Sequence, residues 1–274
     1  MILWVKRRFL HLSTAVDNSC GKLCIDCVKD EGELLLRVFL TLSKKTFACV
    51  LAAIVVACAA GVSFAISSAG AKNENGKYTI VIDAGHGGSD GGMVGKTFGT
   101  RESDINLYVS RMLCHYLKKN GYNVIMTRNA DITLSDGKTQ NKKLSEMKKR
   151  AEIINSAKPD LMVSVHQNSY PLSSVKGAQA FYSEGSETGR AAAEIFQSSL
   201  NRALGGKRKE KSADYYVLQC SPYPSVLVEC GFLSNPEEEK LLRTPAYREK
   251  VAYALYVACV TYLEKTDEKI ADNV

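Results

Sequence analysis

From residue 77 onward, short apolar runs alternate with amphipathic stretches, and that alternation restricts the chain more than any other feature of its 274 residues. Residues 78–82, 122–126, 161–165, 178–182 and 226–228 are β-branched or aromatic-rich and bounded by Gly, Asp, Asn or Pro, which predicts strands. Between them, Ile105, Val109, Met112 and Tyr116 recur at helical spacing behind Ser103 as a candidate N-cap, with Asn120-Gly121 as a stop. Residues 144–156, 187–204 and 247–263 predict further helices. Near-continuous apolar strands separated by helices imply an α/β fold: a single domain with a mostly parallel sheet and helices on both faces.

Ahead of this domain, no charged residue occurs from Thr46 to Ala71, and residues 47–66 have the length that crosses a bilayer core. This predicts one N-terminal transmembrane helix, an anchor or signal segment over 46–71. Lys44 and Lys45 precede it, so the positive-inside bias leaves 1–45 as a cytoplasmic tail and sends the domain at 72–274 across the membrane. Net charge is +3 before Lys72 and +4 from Lys72 on, mild enough to suit an anionic envelope polymer. Lys148-Lys149-Arg150 and Lys207-Arg208-Lys209 read as solvated faces, and without interleaved aromatics they do not suggest nucleic acid.

Nine irregularly spaced cysteines exclude a disulfide scaffold. Cys20, Cys24 and Cys27 have the spacing of an iron–sulfur triad, and His11 could complete a zinc set, but fewer than 20 residues separate Cys27 from the apolar run. Reduced thiols on a short tail is the simpler reading.

In α/β sheets the ligand crevice lies beyond the carboxyl ends of the strands. There the first strand runs into Asp83-Ala84-Gly85-His86-Gly87-Gly88, 161–165 runs into His166 and Asn168, and 226–228 runs into Glu229, with Glu102 between the first strand and its helix. Two imidazoles and one carboxylate around an open position form the ligand set of a hydrolytic zinc site, and a second carboxylate is then free to move protons. His115 lies mid-helix among apolar neighbours and reads as filler.

The stretches IVIDAGHGGSDGG, RESDINL, SVHQNS and LVECGFLSN, in that order, resemble the zinc-dependent N-acetylmuramoyl-L-alanine amidases of the type-3 amidase family, over about residues 78–264. The resemblance implies that His86, Glu102 and His166 bind zinc and that Glu229 is the catalytic acid/base. It also implies that the substrate is the amide joining N-acetylmuramic acid to L-alanine in peptidoglycan. Asn168 and Arg128 are candidate substrate contacts, the alternative for either being that it simply pins a loop.

AEIINSAKPDL, KGAQAFY and FLSNPEEEKLL are most similar to the membrane-anchored, germination-type amidases, which strip peptides from spore cortex so that muramic-δ-lactam can form. The segment 129–143 is too short for the autoinhibitory helix of division-type relatives. The expected location is the cytoplasmic membrane, single-pass, with the catalytic domain in the cell wall or forespore intermembrane space, where an envelope partner protein could meet it. A vegetative autolysin, a zinc carboxy- or aminopeptidase and a catalytically inactive wall-binding scaffold are the rival readings.

Overall fold

The structure, a computed structural model, describes residues 14–17, 22–25, 76, 78–135 and 140–271. The chain divides into two units, Met1–Lys72 and Asn73–Val274. In the first, β1 (Thr14–Asp17) pairs antiparallel with β2 (Lys22–Ile25). The expected span at 46–71 lies outside the described residues, as do Cys20 and Cys27. Among the described residues, no helix is long and apolar enough to cross a membrane.

The second unit carries β3 (Thr79–Ala84), α1 (Glu102–Lys119), β4 (Asn123–Met126), α2 (Lys142–Ala157), β5 (Leu161–Asn168), β6 (Gln179–Tyr182), α3 (Glu187–Leu204), β7 (Lys211–Ser212), α4 (Tyr216–Gln219), β8 (Ser225–Phe232), α5 (Pro236–Leu242) and α6 (Pro245–Ala271). Its six strands lie in the order β4-β3-β5-β8-β6-β7. The first four are mutually parallel, whereas β6 runs antiparallel to β8 and β7 parallel to β6. The sheet is therefore mixed, which refines the mostly parallel expectation. Parallel neighbours need a crossover, usually a helix. Between β5 and β6 there is only a loop, so the chain re-enters the sheet from the end where β5 left it.

Side-chain alternation divides the core. Ile80, Ile82, Leu161, Val163, Val165, Val226 and Val228 join the main apolar cluster with the buried residues of α1, α3 and α6. Val81, Met162 and Leu227 point the other way, into a smaller cluster with Ile154 of α2 and Val217 and Leu218 of α4. Continuing that alternation, Asp83, Ser164, His166 and Glu229 fall on the thinly covered face, at the strand ends. This parity places the site.

Ser103 does not cap α1. The helix begins one residue after the extended Arg101, with Glu102 first. Its first amides are satisfied by loop carbonyls instead, Glu102 N to Met93 O at 2.8 Å and Ser103 N to Gly91 O at 3.1 Å. Ser103 is buried with its hydroxyl unpartnered.

Candidate active site and metal centre

Past β3 the backbone turns through three consecutive left-handed residues, His86 (φ 60°), Gly87 (133°) and Gly88 (57°). His86, unlike the glycines, carries a Cβ and adopts this conformation at a cost of about 1–2 kcal/mol. The turn throws its imidazole toward Glu102 and His166. Two glycines leave the room: a Cβ on Gly85 would lie 2.3 Å from the His166 ring, and one on Gly92 would lie 2.6 Å from Glu102 Oε2.

Glu102 is the hub. Its Oε1 lies 3.2 Å from His86 Nε2 and 3.0 Å from His166 Nδ1, and accepts from Gln167 N at 3.1 Å, while Oε2 accepts from Met93 N at 2.8 Å. Burial alone would push its carboxyl up, but hydrogen bonds from His166 and His86 hold it well below the usual carboxylate range. His86 Nδ1 pairs with Asp90 Oδ2 at 2.8 Å. Against the desolvation of burial, Glu102 and Asp90 push this imidazole up to about 9. One donor atom from each of His86, Glu102 and His166 lies within 4.8 Å of the others. A negative oxygen between two imidazoles, one of them oriented by a further carboxylate, is a donor set that suits zinc.

Glu229 stands beside this triangle because β5 and β8 pair with His166 opposite Glu229. It is 8% exposed, and its Oε2 has no hydrogen-bond partner. Burial pushes its carboxyl up to about 7; the neighbouring imidazoles oppose the rise and the Glu102 charge adds to it. A buried, uncommitted carboxyl that titrates near neutrality is suited to pass a proton in either direction. All four groups line one cleft of ≈ 670 Å³.

Residues 80–260 match the family described as N-acetylmuramoyl-L-alanine amidase. The chain belongs to that family. It is 36% identical to the germination-specific N-acetylmuramoyl-L-alanine amidase of Bacillus subtilis (strain 168), over 69% of this chain and 81% of the relative. Among solved structures it is similar to the CwlD amidase from Clostridioides difficile in complex with the GerS lipoprotein. That match has 37% identity and a TM-score of 0.67, and covers 69% of this chain and 99% of that one. A second N-acetylmuramoyl-L-alanine amidase, from Clostridium difficile 630, matches at 29% identity with a TM-score of 0.63, over 69% and 98% of the two chains.

In this amidase the two candidate substrate contacts part company. Asn168 lines the cleft, its Oδ1 accepting from Ser169 N at 2.8 Å, so its amide nitrogen is the group it can offer a substrate. Arg128 does not line the cleft. It is 2% exposed, and its guanidinium donates to four main-chain carbonyls, those of Ala84, Gly85, Ser103 and Ala130. It is a backbone clamp, which matches the loop-pinning alternative rather than a substrate contact. Arg150 also departs from its reading as part of a solvated face: it is 2% exposed and ion-paired with Asp83. The residues just before it, Lys148 and Lys149, are exposed as expected for one helix face, and Arg150 lies on the other. His115 is exposed on α1.

Sequence reasoning missed Asp90, which orients His86, and Tyr215, which forms part of the cleft wall. Asp90 lies four residues from His86 in a turn, a spacing that could have suggested the pair. Tyr215 packs edge-on against Phe181, with ring centroids 5.6 Å apart, and nothing local in the sequence signals that contact.

Proposed function

We propose that the chain is a zinc-dependent amidase that hydrolyses the bond between N-acetylmuramic acid and L-alanine in peptidoglycan, acting on spore cortex so that muramic-δ-lactam can form. One observation carries the chemistry: the unpaired Glu229 Oε2 lies beside a His86, Glu102 and His166 donor set whose atoms fall within 4.8 Å of one another. The spore-cortex assignment draws on the likeness to the germination-specific relative.

Zinc, when bound by His86, Glu102 and His166, supplies a Lewis acid and a positive charge for the developing oxyanion. Asp90 fixes His86 with Nε2 toward the ligand cluster by holding Nδ1. Glu229 takes the proton of the attacking water and delivers it to the departing L-alanine nitrogen. Tyr215 and Asn168 shape the cleft that holds the glycan and stem peptide.

The test is mass spectrometry of vegetative and cortex peptidoglycan digested with the purified protein. Stem peptides with a free L-alanine amino terminus, paired with muramic acid bearing a free lactyl carboxyl, are expected from cortex. Single amino acids as products would replace this reading with a peptidase, equal cutting of both walls with an autolysin, and no release with a non-catalytic wall protein.

We further propose that 46–71 anchors the protein in the cytoplasmic membrane with the catalytic unit outside, where a lipoprotein could dock as one does on the C. difficile amidase. Protease added to intact protoplasts is then expected to degrade the catalytic unit. Cutting confined to the first 45 residues would reverse the orientation.

A further inference from the structure

The left-handed turn at His86 presents three successive carbonyls, those of Ala84, Gly85 and His86, to buried side-chain donors. Two buried guanidiniums take them, with Asn106 Nδ2 also donating to Gly85 O at 3.1 Å. Arg128 donates Nε to Ala84 O and Nη2 to Gly85 O, each at 2.9 Å. Arg150 donates Nη1 to Ala84 O at 2.9 Å and Nη2 to His86 O at 2.7 Å. The chain wraps the first of them so closely that a Cβ on Gly87 would lie 2.8 Å from Arg128 Nε.

Each arginine also reaches another ligand-bearing segment. Arg128 Nη2 donates to Ser103 O at 2.9 Å, which ties the His86 turn to the residue directly after Glu102. Arg150 is paired with Asp83, whose Oδ2 accepts from Ser164 Oγ at 2.7 Å and whose Oδ1 accepts from Thr127 Oγ1 at 2.7 Å. Ser164 lies two residues before His166 on the same face of β5. All three segments that would carry zinc ligands are thus linked through two buried cations, of which Arg150 also lines the floor of the cleft and Arg128 does not.

Among the described residues, no carboxylate is ion-paired with Arg128; its hydrogen bonds go to carbonyl oxygens, and the charges of Asp83, Asp131 and Asp104 act only from a distance. Filling a gap in the core does not require that. A rigid fork that meets several carbonyls at fixed angles does, and guanidinium supplies it where ammonium cannot.

We propose that Arg128 and Arg150 are positioning residues that set the geometry of the His86, Glu102 and His166 triangle, and so its affinity for zinc. The proposal rests on the zinc reading above. Lysine in either place keeps the charge but loses the fork that holds several carbonyls at once, leaving the turn free to relax even where Asn106 or the other arginine still donates to one of them.

The experiment compares full-length wild type, Arg128→Lys and Arg150→Lys in detergent, with Leu200→Ala as a core variant of lowered stability remote from these contacts. Zinc dissociation constants and cobalt(II) absorption spectra are recorded well below each unfolding midpoint, alongside kcat and KM. Both lysine variants are expected to bind zinc about 10- to 100-fold more weakly. Their cobalt bands should shift and kcat should fall with little change in KM, while Leu200→Ala keeps the wild-type affinity and spectrum.

Wild-type zinc affinity and an unchanged cobalt spectrum in both lysine variants would overturn the proposal, as would an equal loss of affinity in Leu200→Ala. Should the lysine variants not fold, Ser164→Ala carries the test. It cuts only the Asp83 link to β5 and is expected to weaken zinc binding and shift the cobalt bands; no change in either would overturn the proposal. A wild-type protein that binds no zinc would instead remove the reading on which the proposal rests.

Discussion

Glu229→Gln is expected to retain zinc and muropeptide while turnover falls about 10²- to 10⁴-fold, the usual worth of general acid/base help. The amide keeps the size of the carboxyl and fits the same pocket at the end of β8, but it cannot accept the water's proton. Because Oε2 of Glu229 engages no hydrogen bond, the replacement breaks no network, and the loss reports on proton transfer alone. Zinc content, muropeptide affinity and release of L-alanine-terminated stem peptide are to be measured on one preparation. Near-normal hydrolysis would show that another group moves the proton. Loss of zinc would mean that Glu229 is a ligand.

The same variant has a stability signature in the metal-free protein. Burial raises the Glu229 carboxyl from its ordinary 4.5 to about 7, so folding favours its protonated form. That contribution is full below the unfolded value near 4.5 and is lost once pH has risen past about 7. Wild type should therefore lose up to about 3 kcal/mol relative to Glu229→Gln across that interval, because each pH unit between the two values is worth about 1.4 kcal/mol. Denaturant unfolding at the two ends of the interval measures it. Parallel pH profiles for the two proteins would contradict the buried-carboxyl assignment.

His166→Ala is expected to bring zinc below stoichiometric occupancy and to lower activity by more than about 10³-fold, since the metal's charge stabilisation is worth several kcal/mol of barrier. The two ligands left, His86 and Glu102, already contact each other at 3.2 Å and cannot close a tetrahedral set. His166 also gives Glu102 Oε1 its 3.0 Å contact, so its loss slackens the carboxylate as well as the site. Elemental analysis after dialysis and assay of the same sample are sufficient. Full zinc occupancy in this variant would take His166 out of the metal centre, and full activity without zinc would end the metal mechanism.

The sequence by itself determined the elements and the parity of the strands. Apolar runs separated by helical periodicity specify α/β layering, and with a period of two the residues that follow each run at a strand end have a defined face. His166 and Glu229 were legible for that reason, and His86 and Glu102 through their ordered motifs beside the first strand. The helix over residues 187–204 was legible as well, because Ser186 caps one end and Gly205 the other through local contacts.

Which strand lies beside which is a contest between distant segments, and only the tertiary structure decided it. The pairing of β5 with β8 puts Glu229 beside His166, and the reversal of β6 follows from the lack of a crossover helix after β5. The two arginines show the same limit from the side of burial. Arg150 sits in a lysine-rich stretch and by composition belongs in water, yet it is drawn inside by Asp83, 67 residues away, and by carbonyls exposed when the chain turns at His86. The cost of burying a guanidinium is set by its partners. Those partners come from other parts of the chain, so no local pattern could have assigned Arg128 to the backbone rather than to the substrate.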